Sequence, residues 1–296
     1  MKKLLRGDRV GYLYILPALL FMAALIFYPI VYSFILSMQK VEVTTLMQAE
    51  KEWVWFRNYK KIFASADLWN ALRVTLIFTA ACIFFQFTIG FLLALLFKRT
   101  TRIFKFMKAV MLVPYIIPAT ASAILFKFFF ATDGGIINEL LLFLGVIQER
   151  ISWLIRPDTA LVSVITANIW SGIPFNMILL STGLANIPED FYESAEIDGA
   201  NFLQKFIYIT VPSLMSSIKA VLVLGVVYTF RCFEQTYVMT SGGPVGGTTL
   251  MTIYSYKKSF VEFKFSEGAA ITNVLFIVLF LVGLFYIRMI GKDEEM

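Results

Sequence analysis

Apolar residues in this chain gather into long blocks separated by short polar segments. Six blocks reach the length of a membrane crossing, at about 10–38, 72–97, 109–130, 160–184, 217–239 and 268–290. A bilayer core takes roughly 20 apolar residues per helix. Hydrocarbon offers no partner to a free backbone N–H or C=O, so each block is predicted to be a helix. Pro17, Pro29, Pro114, Pro118 and Pro174 fall within or near the ends of these blocks, where they kink helices whose freed carbonyls neighbouring helices satisfy. The pattern predicts an all-α, polytopic bundle with six transmembrane helices, forming a single domain over residues 1–296. It shows no linker, low-complexity tract or internal repeat.

Composition agrees. Of 296 residues, 59% are hydrophobic and only 16% charged, and the mean hydropathy is +0.76; soluble domains carry about 25% charge. The net charge of +6 sits at the edges of apolar blocks, where lysine and arginine anchor helices at the headgroups. It forms no patch of the kind that nucleic acid requires. Cys82 and Cys232 both lie inside apolar blocks and suggest no disulfide framework. Histidine is absent, which removes the commonest proton shuttle and metal ligand. The first block is too long for a signal-peptide core and lacks a small-residue cleavage site, so it reads as a retained span.

Short segments set the expected orientation. The first nine residues hold Lys2, Lys3, Arg6 and Arg9 against Asp8, and "KRTTRIFKFMK" at 98–108 holds five bases and no acid. Both belong in the cytoplasm by the positive-inside rule. Six spans then place both termini inside, with loops at about 39–71, 131–159 and 240–267 outside and the 185–213 loop inside.

That inner loop contains "YESAEIDGANFLQKFIYITVP", Tyr192 to Pro212, and it is acidic. Glu189, Asp190, Glu193, Glu196 and Asp198 face a single base, Lys205. Acids weigh little in topology, so they need another role. Pro188, Glu189 and Asp190 suit the first turn of a helix, and Ala195, Ile197 and Ala200 are compatible with it. Gly199 interrupts, and Phe202, Phe206, Ile207 and Ile209 supply a second apolar face before Pro212. Two short helices joined at a glycine are predicted. They could rest on lipid headgroups, but such connectors favour Lys and Arg on the polar face. An acidic, partly apolar surface suits a basic protein groove better.

The same stretch resembles a known family. Glu193-Ser194-Ala195, three residues, Gly199, nine residues, then Ile209-Thr210-Val211-Pro212 looks like the EAA motif of ABC-transporter permeases. Ser194 and Val211 are its mild departures. "IPEDFYESAEIDGA", Ile187 to Ala200, is similar to the sugar-permease form. "YILPALLFMAALIFYPIVYSF" resembles the first span of binding-protein-dependent carbohydrate permeases, the branch of the larger maltose-transporter subunit and the glycerol-phosphate permeases. Phe230 to Ala270 resembles their fifth span and the outer loop after it. The tail "RMIGKDEEM" does not resemble the glycine-rich end of the sister branch.

The resemblance implies a type I ABC importer permease in a plasma (inner) membrane. Its coupling loop would enter a cytoplasmic ATPase through Glu193, Ala195, Asp198, Gly199, Ile209 and Pro212. Partners would be a second homologous permease, two ATPase subunits that bind ATP and Mg, and an extracytoplasmic sugar-binding protein. This chain would hold no cofactor itself. The implied cargo is a sugar or oligosaccharide, with glycerol phosphate or another polyol as the alternative and a secondary transporter further off.

Other motifs are consistent. No G-x-x-x-x-G-K-[ST] occurs, "SGGPVGGTT" at 241–249 lacks the phosphate-binding lysine, and neither H-E-x-x-H nor G-x-S-x-G is present. No acid pair sits at mid-span, so no catalytic residue or metal site is expected. Polar residues inside spans are the candidates for function. Asn168, Gly172, Phe175 and Asn176 share a helical face with Trp170 nearby, and Gly225, Thr229 and Cys232 share another with Tyr228 beside them. Asparagine offers hydroxyls both donor and acceptor, glycine leaves room, and an aromatic ring covers the apolar face of a sugar. Plain helix–helix packing through small and amide residues is the other reading. The resemblance implies that these two spans line the central cavity. Arg231 and Glu234, three residues apart, are expected to pair at the outer membrane boundary.

Overall fold

Asp67 in the first turn complements the dipole of the longest helix, and the chain that follows holds no proline for 31 residues. The computed structural model describes residues 14–48, 50–98 and 101–291. Lys2, Lys3, Arg6, Asp8, Arg9, Arg99 and the last five residues of the tail lie outside the described residues.

The helices are α1 (Tyr14–Ser37), α2 (Arg57–Phe63), α3 (Ala66–Leu96), α4 (Arg102–Val110), α5 (Ala119–Phe129) and α6 (Ile136–Phe143). Then come α7 (Pro157–Ala185), α8 (Glu189–Ile197), α9 (Phe202–Ser213), α10 (Met215–Phe230), α11 (Glu234–Thr240), α12 (Met251–Tyr256) and α13 (Phe265–Gly291). Among the described residues the nearest thing to a strand is one isolated bridge, Gln39 with Trp53.

Four helices, α1, α3, α7 and α13, are long and apolar enough to cross a membrane alone. Two further helix pairs reach that length and apolarity only when each pair is taken together, and both are bent. The stretch Arg102–Ile116 meets α5 at 98°, and α9 meets α10 at 63°. The first bend has a local cause: Ile117 precedes Pro118 and is extended, with ψ of 128°, because a following proline disfavours the helical region. The block 109–130 is therefore angular rather than straight. The block 217–239 also divides: α10 stops at Phe230, and Phe233 leaves helical geometry before α11 begins. Apolar side chains of the spans stay largely exposed, such as Leu20, Phe21, Phe84 and Phe285, which suits a lipid surround.

The chain falls into two units, one within Met1–Ala66 and Ser255–Phe276, the other within Asp67–Tyr254 and Ile277–Met296. In the first, Ser33 Oγ donates to Asn273 Oδ1 (2.8 Å) and Asn273 Nδ2 donates to Tyr59 Oη (3.1 Å). Asn58 Nδ2 donates to the carbonyls of Ser37 and Gln39, and Lys61 pairs with the buried Glu267.

In the second unit, Val74, Phe78, Ala123, Phe126, Val164, Ala167 and Met239 form one core, and Ala94, Leu180, Leu184, Leu214 and Val221 another. Trp170 packs into the first core, edge-on to Phe126 at 5.4 Å. Asn138 braces the turn ahead of α7. Its Nδ2 donates to Ile151 O (2.9 Å), and its Oδ1 accepts from Ile151 N and Trp153 Nε1. A fully bonded buried amide of this kind fixes a loop, since leaving it unpaired is costly.

Candidate functional site

Two places in the second unit carry the expected residues. The first is the acidic loop. Glu189 and Asp190 occupy the first turn of α8, with Pro188 just ahead as its N-cap. At the other end Gly199 takes φ +77°. Gly199 N donates to Glu196 O and Ala200 N donates to Ala195 O (2.8 Å), the paired bonds of a glycine-closed helix end. Asn201 then caps α9. Its Oδ1 accepts from Gln204 N (2.9 Å), and Gln204 Oε1 accepts from Asn201 N (2.8 Å), a reciprocal capping box.

Further contacts fold the two helices onto the bundle. Lys205 Nζ donates to Glu196 Oε1 at 2.6 Å. Tyr192 Oη lies 3.0 Å from Thr210 Oγ1, and Tyr192 and Ile209 pack on the second core. Hydrogen bonding and charge from Lys205 hold the Glu196 carboxyl below its ordinary range. Glu193, Asp198, Gly199 and Pro212 are exposed, and Ala195 is half-buried. Phe191, Ile197, Phe202 and Leu203 are exposed beside them, so acids and large apolar side chains share one open surface.

The second place is a cavity of about 240 Å³ lined by Gln86, Tyr115, Asn168, Ser171, Gly172, Phe175, Gly225, Tyr228 and Thr229. None of these is charged. The structure brings together six of the eight residues expected from the sequence. Asn176 is not among them: it is buried, and its Nδ2 donates to Gly172 O (2.9 Å). Cys232 instead lines a neighbouring cleft of about 540 Å³, which shares Tyr115, Asn168, Ser171 and Tyr228 with the first cavity. The Arg231 guanidinium, expected beside Glu234, lies over the Tyr228 ring at 5.4 Å. Both charges line the cleft.

An amide chain runs behind the wall. Gln86 Nε2 donates to Asn168 O (2.9 Å) and Oδ1 (3.0 Å), and Asn168 Nδ2 donates to Gln235 Oε1 (3.1 Å). Gln235 Nε2 in turn donates to Ser122 Oγ (3.1 Å) and Ser171 Oγ (3.2 Å). Three rings close one side: Tyr115 stacks on Phe175 (6.4 Å), which meets Tyr228 edge-on (5.5 Å). Gly172 serves Gln86, because a methyl group there would collide with the Gln86 carboxamide.

Sequence reading missed Gln86, Tyr115, Ser171 and Gln235. Gln86 did leave a signal, a lone amide inside an apolar block, of the kind that marks function in membrane spans. Chemically, the cavity offers hydroxyls, amides and ring faces without charge.

Comparison with known proteins agrees. Residues 86–293 match the family described as binding-protein-dependent transport system inner membrane component. The diacetylchitobiose uptake system permease protein DasB of Streptomyces coelicolor is 30% identical over 291 residues, 98% of this chain and 89% of the relative. The trehalose/maltose transport system permease protein MalF of Thermococcus litoralis is 30% identical over 283 residues, 96% and 94% of the two chains. A chain from the crystal structure of a bacterial alginate ABC transporter in complex with alginate pentasaccharide-bound periplasmic protein superposes with a TM-score of 0.82. That superposition covers 98% of this chain and 96% of the other at 21% identity, and it shows a shared fold. With the family match covering most of the chain and two relatives aligned almost end to end, this protein belongs to the binding-protein-dependent transport system inner membrane components.

Proposed function

We propose that this chain is one permease subunit of an ATP-driven importer that carries a sugar or oligosaccharide across the inner membrane. The observation that carries the reading is the uncharged cavity of amides, hydroxyls and three rings around Asn168. Sugars present hydroxyls to amides and apolar faces to rings, and pockets of this kind combine apolar walls with a few placed polar groups. At 240 Å³ the cavity is small for an oligosaccharide, and the adjoining 540 Å³ cleft extends it. The named relatives, permeases of diacetylchitobiose and trehalose/maltose systems, support the same cargo class. Glycerol phosphate fits less well, because Glu234 offsets Arg231 in the cleft and the inner cavity holds no cation.

The energy comes from a separate ATPase. Its seat is the exposed acidic surface of α8 and α9, with Glu193, Asp198 and Gly199 outward and Ile209 anchoring the pair to the core. A second permease completes the pore, and an extracytoplasmic binding protein delivers the cargo. ATP and Mg belong to the ATPase. Both termini lie in the cytoplasm, as does the 185–213 loop. ATP-driven closure of the ATPase pushes on α8 and α9 and turns the pore outward, which is alternating access with its energy supplied in trans.

Co-purification followed by reconstitution tests the reading. The tagged chain should bring down a second six-span chain and a soluble ATPase. Vesicles with ATP on the ATPase side should take up labelled oligosaccharide only when the binding protein is added. Uptake by this chain alone without ATP would mark it as a secondary transporter.

A further inference from the structure

We propose that the cytoplasmic ends of α3 and α7, with the α8–α9 loop, form a binding site for one anionic phospholipid. The site rests on the orientation given above and lies apart from the cargo cavity. Two hollows meet there. One, about 640 Å³, is lined by Leu92, Leu95, Leu96, Phe206, Lys98, Lys205 and others. The other, about 240 Å³, is lined by Lys98, Lys108, Ser181 and Glu189 among others. Lys98 and Leu184 belong to both, so the two hollows adjoin at these side chains.

Three features select the occupant. First, Ser181 Oγ is buried and has no hydrogen-bond partner. Hydroxyls elsewhere on α7 bond back one turn, as Thr182 does to Ile178 O (3.0 Å) and Ser171 to Ala167 O (3.2 Å). An orphaned buried hydroxyl costs stability unless something at the site accepts from it. Second, charge favours an anion. Lys205 is paired with Glu196, whereas the ion pairs among the described residues do not include Lys98 or Lys108. Both lysines line a hollow with one carboxylate, Glu189. Third, the larger hollow is leucine-walled and of a size to take acyl chain, which a free phosphate would leave empty.

Depth agrees. α4 exposes Ile103, Phe106 and Val110 while carrying Lys105 and Lys108, the form of a helix lying in the headgroup plane. The cytoplasmic leaflet is the one rich in anionic lipid. A phosphate on Lys98, Lys108 and Ser181 would also touch the coupling loop, because the Lys98 ammonium sits 4.0 Å over the Tyr192 ring. The lipid would thus tie α8 to the leaflet.

The test uses the whole transporter in phosphatidylcholine nanodiscs containing a minor share of phosphatidylglycerol, with bound lipid counted by native mass spectrometry. Wild type should retain phosphatidylglycerol above its bulk share. Lys98→Gln with Lys108→Gln should lower that retention about thirtyfold, the loss of two lysine–headgroup attractions. Lys105→Gln, on the same helix but outside the hollow, should keep it. No enrichment on wild type, or equal loss in the Lys105 variant, would overturn the site in favour of diffuse surface charge. Ser181→Ala guards against a folding artefact. It should raise the unfolding temperature of the delipidated transporter yet weaken phosphatidylglycerol retention; undiminished retention would also overturn the proposal.

Discussion

Gln86 on α3 holds Asn168 on α7 by two bonds from one nitrogen, to the backbone carbonyl at 2.9 Å and to the side-chain oxygen at 3.0 Å. Gln235 takes the Asn168 amide on its other side at 3.1 Å. Asn168 therefore presents to the cavity an orientation imposed from behind. Replacing Gln86 with Leu leaves the Asn168 oxygen without its donor. The expected cost is about 1–3 kcal/mol of stability and about a tenfold rise in half-saturating cargo concentration, the scale of one buried polar group left unpaired. Thermal unfolding and cargo-stimulated ATP hydrolysis by the reconstituted transporter read the two effects. An unchanged half-saturation with lowered stability would make Gln86 a packing residue only.

Gly172 adds a steric partner to that bond. A Cβ at this position meets the Gln86 carboxamide, so Gly172→Ala should displace Gln86 and reproduce much of the Gln86→Leu defect. Combined with Gln86→Ala, which removes the obstruction, the glycine substitution should cost far less than it does alone. Such non-additivity is the signature of two groups acting through one contact. Additive losses in the double variant would mean that Gly172 matters for another reason.

These residues also show how far sequence reading reaches. The six apolar blocks and the two short helices meeting at Gly199 are local features, governed by hydropathy and by one glycine, and they were visible in the chain. The 98° bend at Pro118 and the end of α10 at Phe230 were not. A proline marks where a helix breaks without giving the angle, and the fifth block stays apolar past its own helix end. In the cavity, residues on α7 and α10 were grouped by helical spacing. Gln86, Tyr115, Ser171 and Gln235 join from other elements or another face, and only tertiary packing assembles them. Asn176 shares the helical stripe of Asn168, yet turns its amide back onto Gly172 O.

The pair formed by Lys205 and Glu196 gives the loop an acid limit. The hydrogen bond and charge of Lys205 lower the Glu196 carboxyl. A lowered carboxyl contributes stability that is complete above its unfolded value and is lost as pH falls through the folded one. Hydrogen exchange in α8 and α9, taken relative to the intrinsic amide rate at each pH, should therefore be level around neutrality and rise only in acid. Glu196→Gln should show the faster exchange above the carboxyl's titration, meet the wild type below it, and have no acid rise of its own. Because the carboxylate is exposed, the difference should be at most about fivefold. An equal acid rise in the variant would assign the limit to another group.

Gly199 tests whether loop geometry carries the ATPase signal. At φ +77° a side chain is strained, although no atom lies within 4 Å of an added methyl group. The penalty of Gly199→Ala is thus conformational, about 1–2 kcal/mol, and it falls on the turn that sets α8 against α9. Asparagine enters this region more readily than most residues, so Gly199→Asn should be milder. The expected order of cargo-stimulated over basal ATP hydrolysis in the assembled transporter is wild type, then Asn, then Ala, with Pro lowest because its ring fixes φ near −65°. Co-purification of the ATPase should be weakened by Glu193→Lys, which reverses a charge on the exposed face and leaves the turn intact. If all the Gly199 variants keep the wild-type ratio, the angle between α8 and α9 does not transmit the stroke. The acidic face would then act as a tether alone.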